Sequence, residues 1–150
     1  LAVVEGHPRS DHGVLESHLD ESSPIKVRSA PPSERTRHAV THFQVLKKSA
    51  DRALLELRLE TGRRNQIRVH LAHAGYPIVG DRVYGGRLTL PKGASEELRT
   101  ALREFPRQAL HAARLQLDHP VTGRPLECLA PLPDDMRQLL AVLAADAAAA

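Results

Sequence analysis

The hydrophobic period of the chain changes abruptly between residues 54 and 75. Leucine occupies every second position of 55–59 with charged residues between, which is typical of a strand that buries one face. Further on, Ile67, Leu71 and Ala74 follow at helical spacing. A strand must therefore end and a short helix begin within a few residues, and the helix is expected to pack near the end of that strand.

Cap residues delimit this predicted helix on both sides. Asn65 is a favourable N-cap for a helix over 66–74, because its side chain can accept a backbone N–H. Gly75 stands where a C-cap glycine belongs, and Pro77 prevents the helix from continuing.

Other segments predict strands and turns by alternation. Residues 10–37 read as a long polar connection with one weak strand near 14–19. We expect 39–46 and 55–59 to pair as a hairpin across the turn 49–51. The remaining predicted strands are 1–4, 113–118 and 126–130. The predicted class is α+β, with a mixed, mostly antiparallel sheet and helices packed on it.

Two more helical segments are expected in the second half. Residues 88–106 read as a variable insert with a short helix at 95–103. Asp134 begins a final helix, whose core-facing stripe should be Met136, Leu139, Leu140 and Leu143. The alanine-rich end, 144–150, is predicted to fray.

Composition excludes several classes of protein. A single cysteine, Cys128, rules out an internal disulfide framework and favours a cytosolic setting. No apolar run reaches the roughly 20 residues of a membrane helix, and no basic leader precedes residues 1–6. The net charge of +3 permits an anionic partner but does not require one.

Four ordered segments carry a family resemblance. Residues 61–71 read Thr-Gly-Arg-Arg-Asn-Gln-Ile-Arg-Val-His-Leu, and 75–85 read Gly-Tyr-Pro-Ile-Val-Gly-Asp-Arg-Val-Tyr-Gly. Residues 107–112 (Arg-Gln-Ala-Leu-His-Ala) and 119–123 (His-Pro-Val-Thr-Gly) follow. In this order they resemble the motifs of RluA-type RNA pseudouridine synthases, with Asn65 where most members have His. The resemblance implies that 1–150 is the C-terminal part of that catalytic domain, with the corresponding part of its fold.

One motif of the family is missing from the chain. Its nucleophilic aspartate lies in an HRLD-type motif, and no such string occurs here. His18-Leu19-Asp20 is only superficially similar, so the nucleophile is not assigned to Asp20. The resemblance implies that the aspartate and the catalytic tyrosine belong to an N-terminal half upstream of Leu1. We therefore expect these 150 residues alone to be inactive.

The resemblance assigns Arg68 a catalytic part. The family isomerises uridine in RNA without a metal or organic cofactor, and its arginine keeps the nucleophilic carboxylate ionised and oriented. Arg68 is the matching residue. Read without the motif, the same position would be a solvated helix residue in a surface ion pair.

Candidate substrate-binding residues flank Arg68 or lie further along the chain. Arg63 and Arg64, at a helix start, suit phosphate contact, although two ordinary exposed arginines would look the same. Asn65 and Gln66 complete the candidate set at this junction. Leu110 resembles an apolar residue of the uracil pocket, and a core leucine is the alternative.

More distant basic residues are open to two interpretations. Arg82, Arg87 and Lys92 could extend a cationic track along bound RNA or could simply be solvated loop residues.

The expected partner is structured RNA, ribosomal RNA first and transfer RNA second, together with the missing N-terminal half of the domain. No membrane partner is expected. A non-catalytic RNA-binding remnant is the alternative function. A metal-dependent hydrolase using His70 and His73 is disfavoured, because no further well-placed ligand accompanies them.

Overall fold

A five-stranded sheet forms the body of the protein. The computed structural model describes residues 1–149. The strand order in the sheet is β1-β5-β4-β2-β3, and each of its neighbouring pairs is antiparallel. These strands are β1 (Ala2–Glu5), β2 (His12–Asp20), β3 (Arg28–Ala30), β4 (Thr36–Ser49) and β5 (Arg52–Leu59). The predicted α+β class is confirmed.

The hairpin predicted around residues 49–51 is formed by β4 and β5. Ser49 pairs with Arg52 at its closed end, and Ala50 turns the chain with a positive φ of 49°. A bulge between Val45 and Lys47 shifts the register. Of the alternate leucines of β5, Leu55 is fully buried in the main core and Leu57 packs against it, whereas Leu59 is exposed.

The segment 10–37 is more ordered than its polar sequence suggested. It contains the nine-residue strand β2, which pairs with β4 along its whole length, and the short strand β3. The weak strand predicted near 14–19 is therefore longer, and β3 was missed. Pairing with an already formed neighbour supplies the backbone hydrogen bonds that low β-propensity did not predict.

Three helices occur in residues 1–149: α1 (Gln66–His73), α2 (Glu96–Glu104) and α3 (Asp134–Ala149). Ser95 caps α2 by accepting the N–H of Leu98. The main core includes Leu98, Leu102 and Phe105, beside Met136, Leu139 and Leu143 of α3. The short helix predicted at 95–103 is therefore present as α2, and it is part of the core.

The edge strand β1 forms backbone hydrogen bonds with two segments that are distant in sequence. Val3 donates to the carbonyl of Ala109, and Val79 donates to the carbonyl of Val3. Glu5 likewise donates to Pro77. The loop after α1 and the segment near residue 110 are thus held against one strand.

A separate two-stranded sheet follows. β6 (Arg114–Asp118) pairs with β7 (Pro125–Leu129), as predicted, and every residue of both strands is exposed. Leu115, Leu117, Leu126 and Cys128 form one face of this hairpin, because cross-strand partners share a face.

Helix α3 continues as helix to Ala149, across most of the tail predicted to fray. Alanine has the highest helix propensity, and Asp146 accepts the N–H of Ser95, which attaches this end to the loop before α2. Ala150 lies outside the described residues. Among residues 1–149, no helix combines the length and apolar character that crossing a membrane requires.

Candidate functional site

Helix α1 begins after Asn65, as the sequence indicated, but the backbone conformation of Asn65 differs from the one expected of a side-chain cap. Asn65 occupies the N-cap position in the left-handed region, with φ of 53°, and its side chain makes no capping hydrogen bond. The predicted side-chain cap is therefore wrong. Asparagine tolerates this backbone conformation better than most residues, and its amide is left available for other contacts.

Gln66 is buried beneath the start of α1. Only 2% of its surface is exposed. Its Oε1 accepts from the Thr61 hydroxyl at 2.7 Å and the Arg63 N–H at 3.0 Å. Its amide donates to the Val40 carbonyl and to Thr41 Oγ1, both at 2.9 Å. With these partners, the geometry favours a structural role for Gln66 over the predicted contact with substrate.

His70 continues the same buried polar layer. Its Nδ1 lies 2.8 Å from the Thr41 hydroxyl on β4, and its Nε2 lies 3.0 Å from the Ser17 hydroxyl on β2. Burial, and next the nearby His73, lower the pKa of His70. A neutral ring with both nitrogens engaged joins the helix to two strands, whereas His73 is exposed.

Arg68 is on the neighbouring side of α1 and forms a bidentate ion pair. Its Nε and Nη2 each lie 2.8 Å from an oxygen of Asp81. The arginine side chain is 16% exposed and the aspartate 1% exposed. A solvated surface pair is therefore contradicted, and the carboxylate bound to Arg68 in this structure belongs to the chain itself.

Asp81 also organises the loop that follows it. Its Oδ1 accepts the backbone N–H groups of Val83 and Tyr84, both at 3.1 Å. Burial raises the pKa of Asp81, but the hydrogen bonds from Arg68 and these N–H groups outweigh it and hold the pKa below its usual value. The hydrogen bond to Asp81 in turn raises the pKa of Arg68.

Four residues form what we call the Arg68 cluster: Asn65, Arg68, Asp81 and Tyr84. Asn65 Oδ1 lies 3.3 Å from Nη1 of Arg68, and the Tyr84 ring lies under the guanidinium with its centroid 4.9 Å from Cζ. A guanidinium has five N–H donors. Within residues 1–149, three of them have partners, so one edge of the group is available to a further acceptor.

The two arginines before α1 are bonded to strand β4 and to the loop between β2 and β3. Arg63 Nε donates to the His38 carbonyl at 3.1 Å. Arg64 donates its backbone N–H to Glu21 and its guanidinium to the carbonyls of Glu21 and Ser23. These contacts engage the guanidinium groups themselves, through Nε of Arg63 and Nη2 of Arg64. Phosphate binding by either residue stays a prediction.

A cationic segment that the sequence reading missed lies beside the cluster. Residues 26–37 carry four Lys or Arg and one Glu, a local excess equal to the +3 of the whole chain. Val27 donates its N–H to the Tyr84 hydroxyl at 2.9 Å, and Lys26 Nζ lies 5.2 Å from the Tyr84 ring centroid. Only the tertiary contact with Tyr84 reveals this proximity.

Leu110 lies on the β1 side of the molecule. It forms a bridge with Ala2 and packs, half-buried, against the main core. The N–H of Ala109 donates to the Val79 carbonyl, which connects this segment to the loop that carries Asp81. The core interpretation of Leu110 fits this contact, and a role in a base pocket stays a prediction.

The exposed basic residues Arg82, Arg87 and Lys92 form no ion pair among residues 1–149. Their side chains are therefore available to an anionic partner, and the RNA-track interpretation stays a prediction.

Sequence comparisons connect this site to a known family. The family model for RNA pseudouridylate synthase matches residues 1–73, from β1 to the end of α1. Ribosomal large subunit pseudouridine synthase D of Vibrio cholerae is 53% identical over 111 residues, covering 74% of this chain and 34% of that protein. The protein of the same name from Xanthomonas campestris is 45% identical over all 150 residues, which make up 45% of its length.

Comparison with solved structures also finds proteins with RNA pseudouridylate synthase domains. The human RNA pseudouridylate synthase domain containing 4 protein superimposes with a TM-score of 0.76 and 27% identity, covering 95% of this chain and 60% of that one. Human RNA pseudouridylate synthase domain containing 1, with a TM-score of 0.65 and 21% identity, shares the fold. The chain spans less than half the length of the two bacterial relatives that it matches.

Proposed function

Since this chain belongs to the RluA-type RNA pseudouridine synthase family, we propose that it supplies the arginine side of an active site that isomerises uridine to pseudouridine in ribosomal RNA. The reaction breaks the bond between ribose C1′ and uracil N1, turns the base, and forms a bond from C1′ to C5. The proton on C5 is then lost and N1 gains one. Atoms balance without a co-reactant.

The Arg68 cluster is the observation that carries this proposal. Arg68 is bound by Asp81 along one edge and lies over the Tyr84 ring, and it offers a second edge to an acceptor. A carboxylate on that edge would stay ionised and would have a fixed direction of attack. Both properties favour nucleophilic catalysis, because the reacting atoms must meet in a defined geometry.

The nucleophile in this proposal comes from residues outside the 150. The chain contains no HRLD-type motif, and we therefore propose that 1–150 is the C-terminal part of the catalytic domain and is inactive alone. Asp81 is a poor candidate for the nucleophile, since both its oxygens are bound to Arg68 and its side chain is 1% exposed.

RNA contact is proposed for the cationic surface beside the cluster. Arg63 and Arg64 lie at the start of α1, and Lys26, the first of four cationic residues in 26–37, lies 5.2 Å from the Tyr84 ring. Such a surface suits the phosphates that flank a uridine turned out of its stack. Asn65 and Leu110 remain candidates for contact with the base. The setting we propose is the cytoplasm.

Release of tritium from ribosomal RNA labelled at C5 of uridine tests the proposal. We expect none from residues 1–150 alone and steady release from the full chain that includes the upstream coding sequence. In that full chain, Arg68→Ala should lower turnover by roughly a hundredfold or more. The matched control is Arg58→Ala, an exposed arginine in β5.

The outcomes separate the candidate functions. A near-normal rate for Arg68→Ala in the full chain would rule out its part in catalysis, and robust turnover by 1–150 would rule out an external nucleophile. Salt-dependent RNA binding by the full chain without tritium release would favour the alternative, a non-catalytic RNA-binding remnant, for which the cationic 26–37 segment is the supporting observation.

A further inference from the structure

The Tyr84 side chain contacts two other parts of the molecule, the start of α1 and residues 26–27. Its ring lies under Arg68 of α1, with 4.9 Å between Cζ and the ring centroid, and Lys26 Nζ lies 5.2 Å from the same centroid. Its hydroxyl accepts the N–H of Val27 at 2.9 Å, and Asn65 Nδ2 lies 3.4 Å from it. One side chain thus joins the start of α1, the Asp81 loop and the segment entering β3.

Two different contacts constrain Arg68, one with a carboxylate and one with an aromatic ring. Asp81 binds Nε and Nη2 in the plane of the guanidinium, which fixes its rotation within that plane. The guanidinium also lies over the Tyr84 ring, with Cζ 4.9 Å from the centroid, so the ring limits movement of the group toward it. Neither contact alone determines where the remaining N–H edge points.

Backbone hydrogen bonds fix the two partners relative to each other. Oδ1 of Asp81 accepts the N–H of Tyr84 at 3.1 Å, and the N–H of Gly85 donates to the carbonyl of Asp81 at 2.8 Å. The carboxylate and the ring therefore belong to one tight turn. A shift of either would carry the other with it and would turn Arg68.

We infer that Asp81 and Tyr84 are positioning residues, which set the direction of the Arg68 guanidinium toward the nucleophile. This inference rests on the proposed function. It gives the loop 81–85 a part in the rate of the reaction rather than in RNA binding. Tyr84 acts through its aromatic face on Arg68, and its hydroxyl serves to hold the β3 segment in place.

The test uses the full chain and separates kcat from KM on ribosomal RNA. Tyr84→Leu removes the aromatic face and should lower kcat roughly tenfold, with KM changed less than about twofold. Tyr84→Phe keeps the face and should restore kcat to within about threefold of the parent. The matched control is Tyr76→Leu, which alters the other tyrosine, half-buried against the main core.

A second variant covers the case in which Tyr84→Leu does not fold. Asp81→Asn keeps the shape of the side chain but weakens the bidentate pair, and it should also lower kcat with little change in KM. Equal kcat values for Tyr84→Phe and Tyr84→Leu would overturn the part assigned to the ring. A change in KM alone would overturn the positioning role of both residues.

Arg68→Lys distinguishes failure of this inference from failure of the proposed function. If Arg68→Lys loses activity while Tyr84→Leu and Asp81→Asn keep a normal kcat, only the inference fails. If Arg68→Lys retains a normal kcat, the guanidinium has no part in catalysis, and its positioning has no consequence for the rate. If the parent full chain itself releases no tritium, the proposed function fails.

Discussion

Strands β5 and β6 have the same alternating pattern but different surroundings. In β5, Leu55 is 0% exposed, because β1 and β4 pair on either side and helices cover its inner face. In β6, Leu115 is 60% exposed, since this strand pairs with β7 alone. Alternation therefore identifies the apolar face of a strand, and a third element decides whether that face is buried.

Polar residues of α1 are buried, whereas apolar residues of the β6–β7 hairpin are exposed. Gln66 and His70 of α1 are buried although both are polar, because hydroxyls and carbonyls of β2 and β4 satisfy them. In the hairpin β6–β7, leucines are exposed although they are apolar. A residue's place in the molecule follows from the partners that the fold provides as much as from its hydrophobicity.

The largest expected effect is a loss of stability on replacing a glycine with positive φ in the body of the protein rather than in the hairpin. Gly80, in the body, has φ of 79°, and a Cβ there would overlap the carbonyl oxygen of Arg107. Gly80→Ala should lower the free energy of unfolding by roughly 3–5 kcal/mol, combining a left-handed alanine with overpacking. Urea unfolding followed by circular dichroism measures it.

Gly123, in the hairpin turn, is the matched control. Its φ is 68°, but nothing lies within 4 Å of a Cβ added there. Gly123→Ala should cost about 1–2 kcal/mol or less, from backbone strain alone. Equal losses for the two variants would show that the hairpin is packed as tightly as the body.

Leucine-to-alanine substitutions in β5 and β6 should give the next largest difference in stability. Leu55→Ala should lower the free energy of unfolding by about 2–5 kcal/mol, because it leaves a cavity in the core. Leu115→Ala should change it by less than about 0.5 kcal/mol. The same unfolding measurement applies. A large loss for Leu115→Ala would mean that this face is covered in solution.

The smallest expected effect is a pH dependence produced by the buried polar layer. Burial lowers the folded pKa of His70, so the unfolded chain takes up the proton first as pH falls. The neutral ring makes its whole contribution to the free energy of unfolding above the unfolded pKa of about 6.5. This contribution is lost as the pH falls from the unfolded pKa through the folded pKa. His70→Gln should lose about 1–3 kcal/mol at pH 8 and should flatten this dependence.

The control for that prediction is His73→Gln, which changes an exposed histidine on the same helix. Unfolding free energies of both variants and the parent at pH 8, 6.5 and 5 make the comparison. A slope in His70→Gln as steep as in the parent would assign the pH dependence to other groups.

Local signals predicted most elements of the fold. The hairpin of β4 and β5, helix α1, helix α2 and the stripe on α3 follow from periodicity and cap residues, which act over a few positions. Strand β3 and the length of β2 were not predicted, because β3 pairs with β2, and β2 pairs with residues of β4 that lie 16 (Asp20 with Thr36) to 32 (His12 with Gln44) positions later. The core role of α2 was missed for the same reason.

The candidate site was predicted only in part. The motif around Arg68 indicated the residue and its need for a carboxylate. It did not indicate Asp81 as the observed partner, which lies 13 residues later. No periodic relation connects these positions or joins Lys26 to Tyr84. Such pairs arise only where separate elements meet.

The sequence alone determined which strand positions share an apolar face, where helices begin and end, and which arginine belongs to the motif. These depend on backbone geometry and on side-chain chemistry at neighbouring positions. The tertiary structure alone decided which faces are buried, that Gln66 and His70 lie inside, and that Arg68 is held between a carboxylate and an aromatic ring. Burial and charge pairing depend on atoms brought from distant parts of the chain, which no local pattern specifies.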